Sequence, residues 1–224
     1  MSTLDEIINN LTDSSKTLLD PILKTKVLAT RMKNAELLAW ADQEMIGYSD
    51  SRAVPCYRYG KSVYYCSLQQ PGGIQENASL PLLIFDEEIR DWFLKHPFTD
   101  GVAALESMNS RGSDGVLKKE YPADFCAFLT SKILNNERHR IRILKLSEYV
   151  DISSVSQVLN AIRSRLLGFA LGIETELPNF QELLSQKLIQ QEQYQHKISD
   201  LFHQTIIVLG NHNTIAGGKD NSIG

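Results

Sequence analysis

Apolar positions recur three and four residues apart through most of the chain, and this spacing predicts helices before anything else. Thr3-Leu-Asp-Glu6 has the form of a capping box and opens a short helix to about Leu11. Asp20-Pro21 starts a second helix, with Ile22, Leu23, Val27 and Leu28 on one face. Asn34 interrupts, and Leu37, Leu38, Ala41 and Met45 carry a third helix over 35–46, closed by Gly47 as a left-handed cap. The period changes between Val54 and Leu68, where Tyr57, Tyr59, Val63, Tyr65 and Cys66 predict strand, and Pro71-Gly-Gly73 predicts a turn. Leu80–Phe85 is expected to be extended. Asp86 caps a helix carrying Ile89, Trp92, Phe93 and Leu94 up to Pro97. A short helix over 102–108, a loop at 111–115, a strand over 116–120 and a helix from Pro122 to Leu134 follow. Ile141, Ile143, Leu144 and Leu146 set against Arg140, Arg142 and Lys145 predict a half-exposed strand from Arg138 to Tyr149. Asp151 caps the longest helix, whose stripe of Val155, Val158, Leu159, Ile162, Leu166, Phe169, Ile173 and Leu177 ends at Pro178 and suits packing on the N-terminal hairpin.

The fold class this implies is α+β: a helical hairpin and a long closing helix packed with a small, mostly antiparallel sheet over residues 1–178. Residues 179–204 are Gln-rich and free of Gly and Pro, and predict a stalk helix or linker. Leu184, Gln191 and Ile198 alternate there with Phe180, Lys187, Tyr194 and Leu201 at heptad spacing, which suits either a weak coiled coil or a helix laid on the body.

Composition narrows the function classes. The net charge of −4 argues against a bulk nucleic-acid or anionic-membrane binder, and no apolar run approaches the ~20 residues that span a bilayer. The N-terminus has no basic, signal-like start, so a cytoplasmic location is expected. Cys56, Cys66 and Cys126 form no C-x-x-C pair and suit buried free thiols.

No catalytic constellation, metal-ligand spacing or phosphate-cradling glycine loop stands out, so no catalytic residue, metal or cofactor is expected. Trp40, Glu44 and Tyr48 suit local packing and pairing more than a binding corner, and Arg58 suits a strand-surface arginine paired with a carboxylate. The one basic cluster is Arg138, His139, Arg140, Arg142 and Lys145, joined by Arg163 and Arg165 if the long helix brings them near. It is a candidate ligand or nucleic-acid surface, set against the plainer reading of a solvated strand face.

Residues 205–224 form a Gly/Asn-rich tail in which Gly210-Asn-His-Asn213-Thr-Ile215 and Gly218-Lys-Asp-Asn221-Ser-Ile223 repeat the pattern Gly-x-x-Asn-Ser/Thr-Ile. Each unit supplies an apolar residue, a tight corner and an Asn that could ladder with copies of itself. Ile206, Val208, Ile215 and Ile223 suit the inside of such rungs, and Gly210 and Gly218 the turns. Two rungs bury too little to stand alone, so copies from other chains are expected, in a closed oligomer or an open fibril.

Several motifs in order carry a resemblance. Lys26-Val-Leu-Ala-Thr-Arg-Met-Lys-Asn34, Glu36-Leu-Leu-Ala-Trp40, Glu44-Met-Ile-Gly47-Tyr48, Val54-Pro55-x-Tyr57-Arg58 and, later, Arg163-Ser-Arg165-Leu-Leu-Gly-Phe-Ala-Leu171 with Glu174-x-Glu176-Leu-Pro178 resemble the AbiTii domain over roughly residues 16–180. Met45 stands where the family more usually has Leu. The resemblance implies a part in bacterial abortive infection, a form of phage defence, and brings no catalytic residues with it. Ile206-Ile-Val-Leu-Gly210-Asn-His-Asn213 resembles the amyloid-type RIP homotypic interaction motif, with Val208 where that motif has Gln. Such tails connect an effector-like domain to an ATPase-bearing sensor, which implies templated assembly.

The expectation is therefore a phage-defence interaction or effector module that meets itself through its tail, with room for a partner protein of the same defence system and without a membrane. Two alternatives from other classes stand beside it: a nuclease-like enzyme using the basic strand with Asp86, Asp91 or Asp124, and a sensor of nucleic acid or phage protein.

Overall fold

A computed structural model describes residues 2–94, 96–111, 115–134 and 140–207. The class is α+β, as the periodicity predicts. Within the described chain no helix is long and apolar enough to cross a membrane. The chain divides into two compact units. The first takes the chain up to Gly47, residues 55–57 and the described residues from Asn160 on; the second takes 48–54 and 58–159.

The first unit is helical. Helix α1 spans Thr3–Thr12, and its capping box lies one residue earlier than predicted: the Ser2 hydroxyl accepts from Asp5 N–H, and the Asp5 carboxylate accepts from Ser2 N–H. Thr3 is already helical, so Ser2 is the residue left extended to cap. Helices α2 (Leu19–Met32) and α3 (Ala35–Ile46) form the hairpin. Lys33 turns the corner at φ 59°, and the Asn34 side chain caps α3 through Leu37 N–H at 2.8 Å. Gly47 does end α3, but at φ 106°, ψ 174° rather than in the left-handed helical region, and only glycine tolerates that combination.

Helix α7, Ile152–Glu176, carries the predicted stripe, and every residue named for it is buried. Arg163 projects from α7 into the end of α1, donating to the carbonyls of Asn10, Leu11, Asp13 and Lys16. It thereby satisfies oxygens that a helix end leaves without partners. The expected stalk is not one helix. Lys187, at φ 59°, breaks it into α8 (Phe180–Ser185) and α9 (Glu192–Phe202), with a 3-10 turn at Leu188–Gln190 between them. Phe180, Ile189, Ile198 and Phe202 are buried in the first unit. Gln190 and Gln195 donate to the free carbonyls of Arg31 and Met32 at the end of α2. Two glutamines beside the heptad positions thus act as caps for a neighbouring helix. Residues 203–207 continue as a π-helical turn. Thr205 does not open the tail, because Ile206 is fully buried and its carbonyl accepts from Arg165 at 2.8 Å. Val208, Gly210, Asn213, Ile215, Gly218, Asn221 and Ile223 lie outside the described residues.

The second unit is built on an antiparallel sheet of order β3-β2-β6-β5, from β2 (Ser62–Gln70), β3 (Gly73–Ser79), β5 (Val116–Glu120) and β6 (Arg142–Asp151). A short ribbon pairs β1 (Tyr59–Gly60) with β4 (His96–Pro97). Helices α4 (Glu87–Leu94), α5 (Val102–Arg111) and α6 (Ala123–Ser131) complete the unit. Strand begins later than predicted after Val54, because 3-10 turns at Ser51–Ala53 and Cys56–Arg58 flank Pro55. Residues 82–84 likewise form a 3-10 turn after Pro81, which has no N–H for a ladder. The adjacent Ile143 and Leu144 break the alternation of β6 for a physical reason. Ser67 pairs with Lys145 and Leu68 with Ile143, so Leu144 is the extra residue of a bulge and turns outward. The core under the sheet gathers Cys66, Leu68, Phe85, Phe93, Leu129 and Leu146. Of the three thiols, Cys66 and Cys126 are buried and Cys56 is exposed, contrary to the expectation for it. Burial, then the neighbouring Cys126, pushes the Cys66 thiol up to about 11, which leaves it unreactive at neutral pH.

A Cβ on Gly60 would lie 2.5 Å from Phe98 Cε2 and 3.1 Å from Ser154 Cβ. Phe98 is buried and cannot swing away without a cavity. Gly60→Ala is expected to lower stability by about 2 kcal/mol, the cost of forcing a methyl into a packed core. A urea-melting midpoint equal to that of the parent chain would contradict this packing.

Candidate functional site

The least expected side chain in the second unit is a buried carboxylate. In β6, Glu148 shares the parity of Leu146 and Val150, so it points with them into the apolar layer, opposite Tyr64 of β2. A lone buried carboxylate costs several kcal/mol, and here four donors meet it. Oε1 accepts from Ser62 Oγ at 2.7 Å, from the Tyr64 hydroxyl at 2.8 Å and from His96 Nδ1 at 2.5 Å. Oε2 accepts from the Tyr121 hydroxyl at 2.7 Å. Burial alone would raise this carboxyl. The hydrogen bonds from His96, Ser62 and Tyr121 overcome it and hold the group at about 2, ionised throughout the physiological range. The Tyr64 and Tyr121 hydroxyls move upward, first through burial and then because they donate to a charge. They remain donors rather than acids. Glu148 therefore fixes four side chains from three separate segments, including the imidazole of His96 on β4.

This network braces a groove. Tyr121 stacks on Phe125 with centroids 4.8 Å apart, Phe125 lies 5.5 Å from Trp92, and Pro97 follows His96 directly. Phe125, Trp92 and Pro97, with Tyr59, Phe128 and Leu129, line a groove of about 530 Å³, a size that suits small ligands or a side chain. Trp92 and Phe128 remain 48% and 51% exposed, unusual for rings with apolar neighbours. Asp86, Glu88 and Asp91 stand at this groove with Arg52 and Lys132. The α4 cap positions Asp86, whose Oδ1 accepts from Ile89 N–H. Arg52 is engaged by Asp50 through Nε and Nη2, and Lys132 Nζ sits 5.5 Å from the Phe128 ring centroid.

The residues singled out by sequence fall differently. Asp86 and Asp91 reach the groove; Asp124, exposed on α6, does not line it. Among the described residues no three His, Cys, Asp or Glu side chains converge as a metal site. The described members of the basic cluster are divided between the two units. Arg138 and His139 lie outside the described residues, Arg140 precedes β6 at φ 48°, and Arg142 is exposed on β6. Arg163 and Arg165 belong to the other unit, Arg163 consumed by the carbonyls of the α1 end, Arg165 by Ile206 O. Arg58 is not a surface arginine. It is fully buried, donates through Nη1 to Phe98 O and Asp100 O at 2.8 Å each, and lies 4.9 Å from the Tyr48 ring centroid. Trp40, Glu44 and Tyr57 form a second buried network: Trp40 Nε1 donates to the Tyr57 hydroxyl, which donates to Glu44, under the Arg165 guanidinium at 4.5 Å. The structural reading of Trp40 and Glu44 fits this arrangement. Sequence reasoning missed Glu148, His96 and Tyr121 as a group; only the parity of Glu148 with Leu146 and Val150 pointed to it.

No curated protein and no solved structure matches the chain. The AbiTii family profile matches residues 2–198, which takes in the second unit and the first unit as far as Ile198 in α9. The chain belongs to the AbiTii family, whose name ties it to abortive infection and phage defence.

Proposed function

We propose that this AbiTii protein is a phage-defence interaction module that assembles through the segment after Ile207. The observation that carries this reading is the repeated Gly-x-x-Asn-Ser/Thr-Ile unit in residues 210–223, at a spacing that suits stacked rungs. The bond from Arg165 to Ile206 O supports it by holding the chain just ahead of the repeats to α7. In this reading assembly acts by raising the local concentration of bodies, and of any partner protein bound to them. Nucleic acid is not the expected partner, given the acidic total.

The cut that tests this must fall after Ile207, because removing Ile206 would take a buried side chain from the core. Light scattering after size exclusion is expected to show oligomers for the intact chain and monomers for a chain ending at Ile207, with unchanged circular dichroism. Gly210→Asp should dissociate the intact chain in the same way. A truncated chain that assembles as the intact one does would refute the proposal.

A further inference from the structure

We infer that the aromatic groove of the second unit binds the guanidinium or ammonium group of a basic peptide segment from a partner protein. The inference stands apart from the assembly proposed for the tail.

The walls supply what a cation with an apolar stem needs. Trp92 and Phe128 are each about half exposed, and an aromatic face attracts a cation placed within about 6 Å of its centroid, Trp most strongly. The protein already uses this attraction, since Lys132 Nζ rests 5.5 Å from the Phe128 centroid. Carboxylates decide the sign of the ligand. Asp86, Glu88 and Asp91 line the groove and are exposed. Against them, Arg52 is paired with Asp50, and Lys132 keeps its single positive charge beside Phe128, so acidic side chains outnumber basic ones in the described lining. The field in the groove is therefore negative, which repels phosphate and nucleic acid and draws in lysine or arginine side chains. Flat aromatic walls also match the planar guanidinium, which stacks as well as pairs. A volume of about 530 Å³ admits a long side chain with part of its backbone. The brace through Glu148, Tyr121 and Phe125 holds the wall in place before a ligand arrives, so little ordering cost falls on binding.

Trp92 is the reporter, because Trp40 is buried at the hydrogen bond to Tyr57. The full chain is titrated with a short Arg-Ser repeat peptide, with a Glu-Ser repeat peptide and with a single-stranded oligonucleotide, following tryptophan fluorescence. Saturable change with the basic peptide alone, weakened by salt, is the expected result. Glu88→Arg, on an exposed helix position, should weaken that binding about tenfold by reversing one charge at the groove. Trp92→Phe should remove the signal while calorimetry still detects weakened binding. Binding of the oligonucleotide in place of the peptide would overturn the inference. So would peptide binding that Glu88→Arg leaves unchanged in a chain with parental circular dichroism, or no binding of the basic peptide at all.

Discussion

Glu148→Gln is expected to cost about 3 kcal/mol of stability at neutral pH and to remove much of the chain's sensitivity to mild acid. The amide keeps the shape of the carboxylate but not its function. One of its two ends becomes a donor facing side chains that themselves donate: Ser62, Tyr64 and His96 on one oxygen, Tyr121 on the other. At least one buried hydroxyl or imidazole then loses its acceptor. The pH dependence follows from the same geometry. The carboxyl ordinarily titrates at 4.5, and the fold lowers it to about 2. A lowered value means the folded state holds the ionised form more tightly than the unfolded chain does. That stabilisation is complete above the ordinary carboxylate range, falls as pH drops below 4.5, and is gone near 2. Its size is about 3 kcal/mol at the usual conversion of pKa shift to free energy. Thermal melting from pH 6 to pH 2.5 should therefore show a steep fall for the parent chain and a shallower one for Glu148→Gln. Parallel curves for the two chains would show that Glu148 is not the group holding this site together.

Arg58→Met is expected to destabilise by a similar amount, about 3 kcal/mol, for a different reason. The side chain is fully buried, and Nη1 alone serves the carbonyls of Phe98 and Asp100. The main chain of Arg58 also accepts from Phe98 N–H at 2.9 Å, so side chain and backbone together pin the segment after β4. Methionine fills the volume but leaves both carbonyls without that donor, the Phe98 oxygen in a buried place. Arg58→Lys should recover only part of the loss, since an ammonium has no planar face to lay against Tyr48 while its nitrogen bonds the two oxygens. Urea denaturation of the three chains measures the order. A lysine variant as stable as the parent would mean that a charged donor alone, and not the planar guanidinium, is what this position needs.

These two residues also mark where sequence reasoning ends. The helical hairpin, the stripe of α7 and the strand at β6 were legible because each is local: apolar spacing, a cap and a breaker lie within a few residues of one another. Even the break in the β6 alternation had a local sign, two apolar residues side by side at Ile143 and Leu144, once a bulge is allowed for. Arg58 was not legible, because Tyr57-Arg58-Tyr59 has the alternation of a solvent-facing strand and nothing nearby announces carbonyls forty residues on. Glu148 was half legible. Its parity put it on the apolar side, but the donors that make burial tolerable come from Ser62, Tyr64, His96 and Tyr121, and no spacing rule joins those positions. The groove was hidden for the same reason: its rings come from α4 and α6, and its carboxylates looked like an ordinary helix start.

The supposed stalk carries a consequence for size. Residues 180–207 are packed into the first unit, so they cannot separate one body from the next. Strands in a stack repeat every 4.7–4.9 Å or so, and even two rungs per chain give only about 10 Å of advance. A unit of about a hundred residues has a radius of gyration near 13 Å. If the segment after Ile207 stacks as proposed, bodies at that pitch along an open fibre would crowd one another, and a closed ring of a few copies would leave them more room.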